Sequence, residues 1–202
     1  MLNRTMAKAV PVALAVSLLT AACGSSSAPA DGNGAAGAGD THEHGDYSQE
    51  GRVPVGSLDV FAADYWTVLK GSEGVTTVRA GGCEADAPCA SFDILEGAAL
   101  EGVDPAAAYL PDDAVCPGTE GFPVGEATKG KETEVEVGGK PATLTVYSVD
   151  CVVSDGAPER TVSQNQWYVP EGPNGPVLVV DRWSFEGLKD RLATAEWSGA
   201  DA

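Results

Sequence analysis

The most regular alternation of polar and apolar residues predicts an antiparallel hairpin in the second half of the chain. Residues 132–137 alternate acidic or hydroxyl side chains with valine, Gly138-Gly139 follow, and residues 142–150 alternate again. Period-two alternation on both sides of a Gly-Gly pair is typical of two strands joined by a tight turn. We therefore predict a hairpin over residues 132–150.

A second hairpin is predicted between residues 161–169 and 177–183, which are joined by the Pro- and Gly-rich segment 170–176. Its simplest register sets three pairs side by side: Val169 with Val177, Trp167 with Val179, and Tyr168 with Leu178. Both faces of this hairpin then carry apolar side chains. The pattern therefore does not say which face is the core.

The end of the chain predicts an amphipathic helix that lies on the sheet. Ser184 is the expected N-cap, and Gly199 follows the last apolar position. Apolar residues recur at positions i, i+3, i+7 and i+10: Phe185, Leu188, Leu192 and Ala195.

Earlier segments predict further elements of the same domain. Residues 65–70 and 75–79 form a hairpin pattern and residues 91–95 a strand, although Phe61, Tyr65 and Val68 could instead mark a short helix. Asp104 and Pro105 are typical of the start of a short helix through Tyr109. The expected fold class is α+β: an antiparallel sheet with a C-terminal amphipathic helix, one or two short helices and disulfides.

The N-terminal segment 1–22 is predicted to be a signal peptide. Arg4 and Lys8 precede an apolar run, residues 9–19, that is too short to span a bilayer as a stable helix. The run ends in Leu19-Thr-Ala-Ala-Cys23, which resembles the lipobox of bacterial lipoproteins, with Thr20 where that family prefers an aliphatic residue. The resemblance implies that Cys23 becomes the N-terminus and carries more than one acyl chain, which anchors stably. The alternative is an ordinary secretory signal followed by an incidental cysteine.

Composition then divides the rest of the chain into a tether and a domain. Residues 23–52 are predicted to be the lipidated cysteine and a flexible tether, because residues 24–39 offer no apolar side chain beyond alanine and proline. A coil of this length reaches about 30 Å. Residues 53–202 show no second linker and no repeat, and we interpret them as one domain.

The remaining cysteines are an even set, Cys83, Cys89, Cys116 and Cys151, which predicts two disulfides outside the cytoplasm. Of the three connectivities we favour Cys83 with Cys89 and Cys116 with Cys151, because glycines and a proline make the first pair a natural closed loop. The absence of a C-x-x-C motif gives thioredoxin-type redox chemistry no support.

Charge and motif content exclude several functions. The chain has 30 acidic and 12 basic residues and a net charge of −18, so we expect neither nucleic-acid binding nor docking on anionic lipid through protein charge. Its only histidines, His42 and His44, lie in the tether, which leaves no histidine in the domain for a Ser-His-Asp or Cys-His arrangement. Because no P-loop, G-x-S-x-G or H-E-x-x-H motif occurs either, we expect no enzyme activity and no cofactor.

Two chemical alternatives stay open. The many carboxylates could supply a close catalytic pair. We interpret two groups of them as solvated faces instead: Asp112-Asp113, and Glu132, Glu134 and Glu136. The tether residues His42, Glu43, His44 and Asp46 could hold zinc or copper weakly. The four tryptophans are interpreted as core or rim residues rather than as a stacking platform.

The order of elements over residues 132–198, two hairpins followed by one helix, resembles the PsbP-like α+β fold of several actinobacterial cell-envelope lipoproteins. That resemblance rests on element order and implies no functional residue. The function we predict is that of a lipoprotein anchored on the outer face of the cytoplasmic membrane. It would bind an envelope protein or a small solute without catalysis, the alternatives being a carboxylate enzyme or a metal-handling lipoprotein.

Overall fold

The computed structural model describes residues 51–71, 73–81, 88–118, 121–153 and 156–198. These ranges form ten strands: β1 (Arg52–Val55), β2 (Leu58–Phe61), β3 (Trp66–Lys70), β4 (Val75–Ala80), β5 (Ser91–Glu96), β6 (Val124–Val137), β7 (Lys140–Val152), β8 (Pro158–Gly172), β9 (Gly175–Asp181) and β10 (Glu196–Trp197). They also contain one short α-helix, α1 (Leu188–Ala193), and a 3₁₀ turn, Gly97–Leu100. No helix within these ranges has the length and apolar character needed to cross a membrane.

The main sheet is antiparallel and has seven strands in the order β3-β4-β5-β9-β8-β7-β6. Most neighbours follow each other in the sequence, but β9 lies beside β5. The chain must therefore leave β5 and pass β9, β8 and β7 before it starts β6 at the far edge. We call residues 97–123, which make this connection, the crossover segment.

Both hairpins in the second half of the chain are confirmed. β6 and β7 turn at Gly138-Gly139, whose φ angles of 55° and 72° suit glycine. The second hairpin, β8–β9, has the predicted register in all three residue pairs. Both of its faces are covered, since Trp167 belongs to the larger apolar cluster and Tyr168 packs on a smaller one.

The larger core lies between one face of the main sheet and a layer made of α1 and the small sheet β1-β2-β10. Trp66, Phe92 and Phe185 meet there edge to face, with ring centroids 5.0–5.7 Å apart. The smaller cluster, on the opposite face, joins Leu95, Leu178 and Val180 to the crossover segment. Each face of the central strands is therefore buried by a different part of the chain.

The predicted C-terminal helix is wrong in length and start, although its apolar stripe is buried as expected. Ser184 has a φ of 52° and Gly187 a φ of 68°, so the chain is not helical before Leu188. The carboxylate of Asp181 instead accepts hydrogen bonds from the backbone N–H groups of Trp183 and Phe185, at 2.9 and 3.0 Å. α1 then ends at Ala193, and the chain forms β10, which pairs with β2. The described fold is mostly antiparallel sheet with one short helix, rather than α+β with a long one.

Two other expectations are corrected. The segment from Asp104 to Tyr109 is a turn rather than a helix: the Asp104 side chain accepts from the N–H of Ala106 at 2.9 Å, and its carbonyl accepts from Ala107 at 3.1 Å. The short-helix alternative over 61–68 is wrong, because these residues end β2 and begin β3. The hairpin over 65–79 and the strand over 91–95 are confirmed.

Candidate functional site

The structure locates only some of the predicted site residues. Cys116 and Cys151 form the predicted disulfide, which ties the crossover segment to β7. Cys89 is also disulfide-bonded, and its predicted partner Cys83 lies outside the described residues. Also outside them are the lipidation site and the metal-binding tract: Cys23, His42, Glu43, His44 and Asp46. Within the described ranges, no three His, Cys, Asp or Glu side chains are grouped so as to hold a metal ion.

The remaining predictions concern side-chain exposure. Glu132, Glu134 and Glu136 are exposed along β6, and Asp112 and Asp113 are exposed in the crossover segment. These carboxylates are therefore solvated, as predicted. Of the four tryptophans, Trp167 and Trp197 are buried, while Trp66 and Trp183 are half-buried. Their positions agree with core and rim roles.

A groove of about 640 Å³, which we call the end groove, lies at one end of the main sheet. Four chain reversals form its walls: the β1–β2 turn, the β3–β4 turn, the β8–β9 turn and the start of the crossover segment. A volume between about 300 and 1,000 Å³ is typical of small-molecule sites. The end groove is thus large enough for a small solute.

Glu96 joins two of these walls, the β1–β2 and β3–β4 turns, to the end of β5. Its carboxylate oxygens both accept from the backbone N–H of Ser57 at 3.1 Å, and Oε1 also accepts from the Ser57 hydroxyl. The Glu96 N–H donates to the carbonyl of Gly74 at 2.9 Å. A Cβ atom on Gly56 would collide with the Glu96 carboxylate, and one on Gly74 with its carbonyl, so only glycine lets the two turns close so tightly. The groove is therefore preformed.

The lining of the end groove offers a small set of polar groups on a partly apolar surface. Lys70 and Glu73 are exposed and supply opposite charges, while Asn174 supplies an amide. The Ser198 hydroxyl is buried and has no hydrogen-bond partner among the described residues. Because that hydroxyl is shielded from solvent, the exposed polar side chains of the groove are those of Lys70, Glu73 and Asn174.

A second group of polar side chains is buried under the crossover segment, on the face of β8 opposite Trp167. Gln166 is 1% exposed, donates to the carbonyl of Ala107 at 3.0 Å and accepts from the N–H of Tyr109 at 2.6 Å. Gln164 donates to the carbonyl of Tyr109 at 3.1 Å and to the Gln166 side chain at 2.6 Å. The two glutamines thus hold the backbone of the crossover segment against the sheet.

Arg182 completes this buried network. Its Nε donates to Gln164 Oε1 at 2.7 Å, and its Nη2 donates to the Tyr109 carbonyl at 3.2 Å. Burial lowers the pKa of the Arg182 guanidinium, while the nearby charge of Asp93 acts to raise it. Burial also raises the pKa of the Asp93 carboxyl, although the Thr77 hydroxyl donates to it at 2.6 Å. Both pKa shifts arise mainly from desolvation, and the bond from Arg182 to the Tyr109 carbonyl is the one in this group that fastens the crossover segment.

Sequence reasoning missed both the end groove and the buried network. A signal for the network was present, because Gln164 and Gln166 lie two residues apart in a strand that is apolar on both faces. No comparable signal existed for the groove, since its walls come from turns that are distant in the sequence. No known protein family matches the chain, and no curated protein matches it.

Proposed function

We propose that this protein is a lipid-anchored binding module on the outer face of the cytoplasmic membrane, and that it takes a small polar solute in the end groove without catalysis. The observation that carries the proposal is the groove itself, which has about 640 Å³ of space and two walls that Glu96 holds together. A preformed site binds without the entropic cost of ordering its walls.

The chemistry of the lining supports a polar solute rather than a lipid. Lys70 and Glu73 provide opposite charges, and the exposed Asn174 amide provides hydrogen-bonding groups. A buried acyl chain would need an enclosed apolar cavity, whereas this groove is open to solvent. Solutes with both a cationic and an anionic group suit the two charges best.

The binding test is a nitrogen-15 NMR titration of the mature protein with free amino acids, dipeptides, neutral sugars and polyamines. We expect at least one class to shift the amide signals of Gly74 and Asn174. Ala98→Trp should abolish those shifts, because Ala98 lines the groove and a large ring there would fill it. Ala193→Trp is the control, since Ala193 is exposed on α1. The proposal would be refuted if none of these solutes shifted the two amide signals at about 10 mM, a concentration that would detect even a very weak affinity.

The anchoring part is tested separately by mass spectrometry of the native protein and by membrane fractionation. We expect an N-terminal Cys23 carrying acyl chains, and Cys23→Ser should release the protein from the membrane fraction. An uncleaved, unmodified N-terminus in the soluble fraction would overturn the anchoring.

A further inference from the structure

The main sheet has two edges, and they differ in their protection against pairing with another strand. β6, at one edge, has 14 residues with two register irregularities and exposed charges along its length. β3, at the other edge, has five residues in unbroken register with β4, and Lys70 is its only charged residue. Proteins commonly block sheet edges with bulges and charges. The β3 edge lacks most of this protection.

The same edge carries the exposed apolar side chains of the described ranges. Tyr65 is 53% exposed and Leu69 is 41% exposed, and no other large hydrophobic residue in those ranges is exposed. Trp66 and Val68 point to the opposite face and pack against the larger core. Exposed apolar side chains next to an open strand are typical of an interaction surface.

Hydrogen bonds inside the molecule fix which backbone groups of β3 face outward. The N–H of Gly71 donates to the carbonyl of Val75 in β4 at 2.8 Å. The backbone N–H and C=O groups of the odd-numbered residues in this strand therefore face β4. Val68 and Lys70 therefore direct both N–H and C=O away from the sheet. Trp66 directs its C=O outward, while its N–H donates to the carbonyl of Ala63 at 2.9 Å.

We propose that the β3 edge is the interface of a homodimer, in which β3 strands of two copies pair antiparallel about Val68. In this register the N–H of each Val68 donates to the carbonyl of Val68 in the second copy. Each Lys70 N–H likewise donates to the Trp66 carbonyl opposite. The outward-facing donors of one copy thus meet outward-facing acceptors of the other, as a two-fold interface requires.

The side chains also suit a second copy. In this register Leu69 of each copy lies beside Thr67 of the other, within the extended part of β3.

The small size of the interface sets its strength. Pairing of five-residue strands buries less than the roughly 1,200 Å² of a standard interface, so the dimer is weak and concentration-dependent. Because the net charges repel over about 8 Å at physiological salt, added salt should strengthen the dimer. Membrane anchoring of both copies raises their local concentration and favours pairing.

The first test is the double variant Thr67→Cys with Leu69→Cys in native membranes. Both side chains are exposed, and the proposed register sets each new cysteine about 4.5 Å, Cα to Cα, from its partner in the second copy, which is within disulfide range. We expect a covalent dimer on non-reducing gels and a 67–69 cross-link in the peptide map. Glu134→Cys with Glu136→Cys is the matched control, because it has the same spacing at the β6 edge. Cross-linking in neither variant, or equally in both, would overturn the proposal.

The second test separates backbone pairing from charge. Lys70→Pro removes the outward N–H from an edge position that tolerates proline, and it should weaken dimerisation at least tenfold by native mass spectrometry of the lipidated protein. Lys70→Ala removes the charge but keeps the N–H and should retain most of the dimer. A Lys70→Pro protein that melts like the wild type and still dimerises equally would refute pairing at β3. A wild type that stays monomeric up to about 1 mM would refute it as well.

Discussion

Replacing Gln166 by leucine tests how strongly the buried network holds the crossover segment. The substitution keeps the volume of the side chain approximately but removes three hydrogen bonds, to Tyr109, Ala107 and Gln164. At about 1 kcal/mol each, these bonds contribute about 3 kcal/mol. The two backbone groups left without a partner cost about 2 kcal/mol more, and the greater apolar burial of leucine offsets about 2 kcal/mol. We therefore expect the free energy of unfolding to fall by about 3 kcal/mol.

The assay is urea unfolding followed by tryptophan fluorescence, together with hydrogen exchange of the Tyr109 amide. In the wild type this amide donates to Gln166 and should be protected, whereas in Gln166→Leu it should exchange far faster than the β8 amides. Ser163→Ala, at an exposed position of the same strand, is the control and should change stability by less than about 0.5 kcal/mol. If Gln166→Leu cost less than about 1 kcal/mol and left Tyr109 protected, the network would not be what holds the segment.

Two further predictions concern the disulfide and pH. Replacing Cys116 and Cys151 together by alanine should lower the free energy of unfolding by about 4 kcal/mol, since the bridge closes a loop with a sequence separation of 35. A decrease below about 1 kcal/mol, measured by calorimetry, would contradict this. Burial raises the pKa of Asp93 above 3.8, its value in the unfolded chain. The contribution of the protonated carboxyl to the free energy of unfolding is therefore complete below pH 3.8 and is lost as the pH rises through the pKa of the folded state. The free energy of unfolding of Asp93→Asn, measured by urea unfolding, should therefore increase relative to the wild type as pH rises from about 3 to 7. A pH-independent difference would contradict the burial effect.

The hairpins could be predicted because their information is local. Gly138-Gly139 supplies the positive φ angles of a tight turn, and period-two alternation sets the faces of β6 and β7. The helix prediction failed for the opposite reason. Ser184 has the chemistry of an N-cap, but the buried carboxylate of Asp181 captures the backbone N–H groups that a helix start would leave open. Tertiary contacts therefore overrode a local propensity.

The candidate sites needed topology that no local pattern contains. The spacing of Gln164 and Gln166 marks a polar pair on one face of β8, but what covers that face follows only from the pairing of β9 with β5. The end groove likewise depends on turns that are distant in the sequence, two of which meet at Glu96. Alternation predicts which residues share a face of a strand, whereas strand order decides what covers that face.

The connection from β5 to β6 links the end groove to the buried network. Glu96 ends β5 and fastens the walls of the end groove, and the next residue, Gly97, begins the crossover segment that Gln166 and the Cys116–Cys151 bridge hold down. Each of these fastenings joins parts of the chain that lie far apart in the sequence. Both features also need the long-range pairing of β5 with β9, because it sets β8 and β9 beside the end of β5. The groove is therefore a product of the finished topology rather than of any one turn, and its residues cannot be recognised by a local motif.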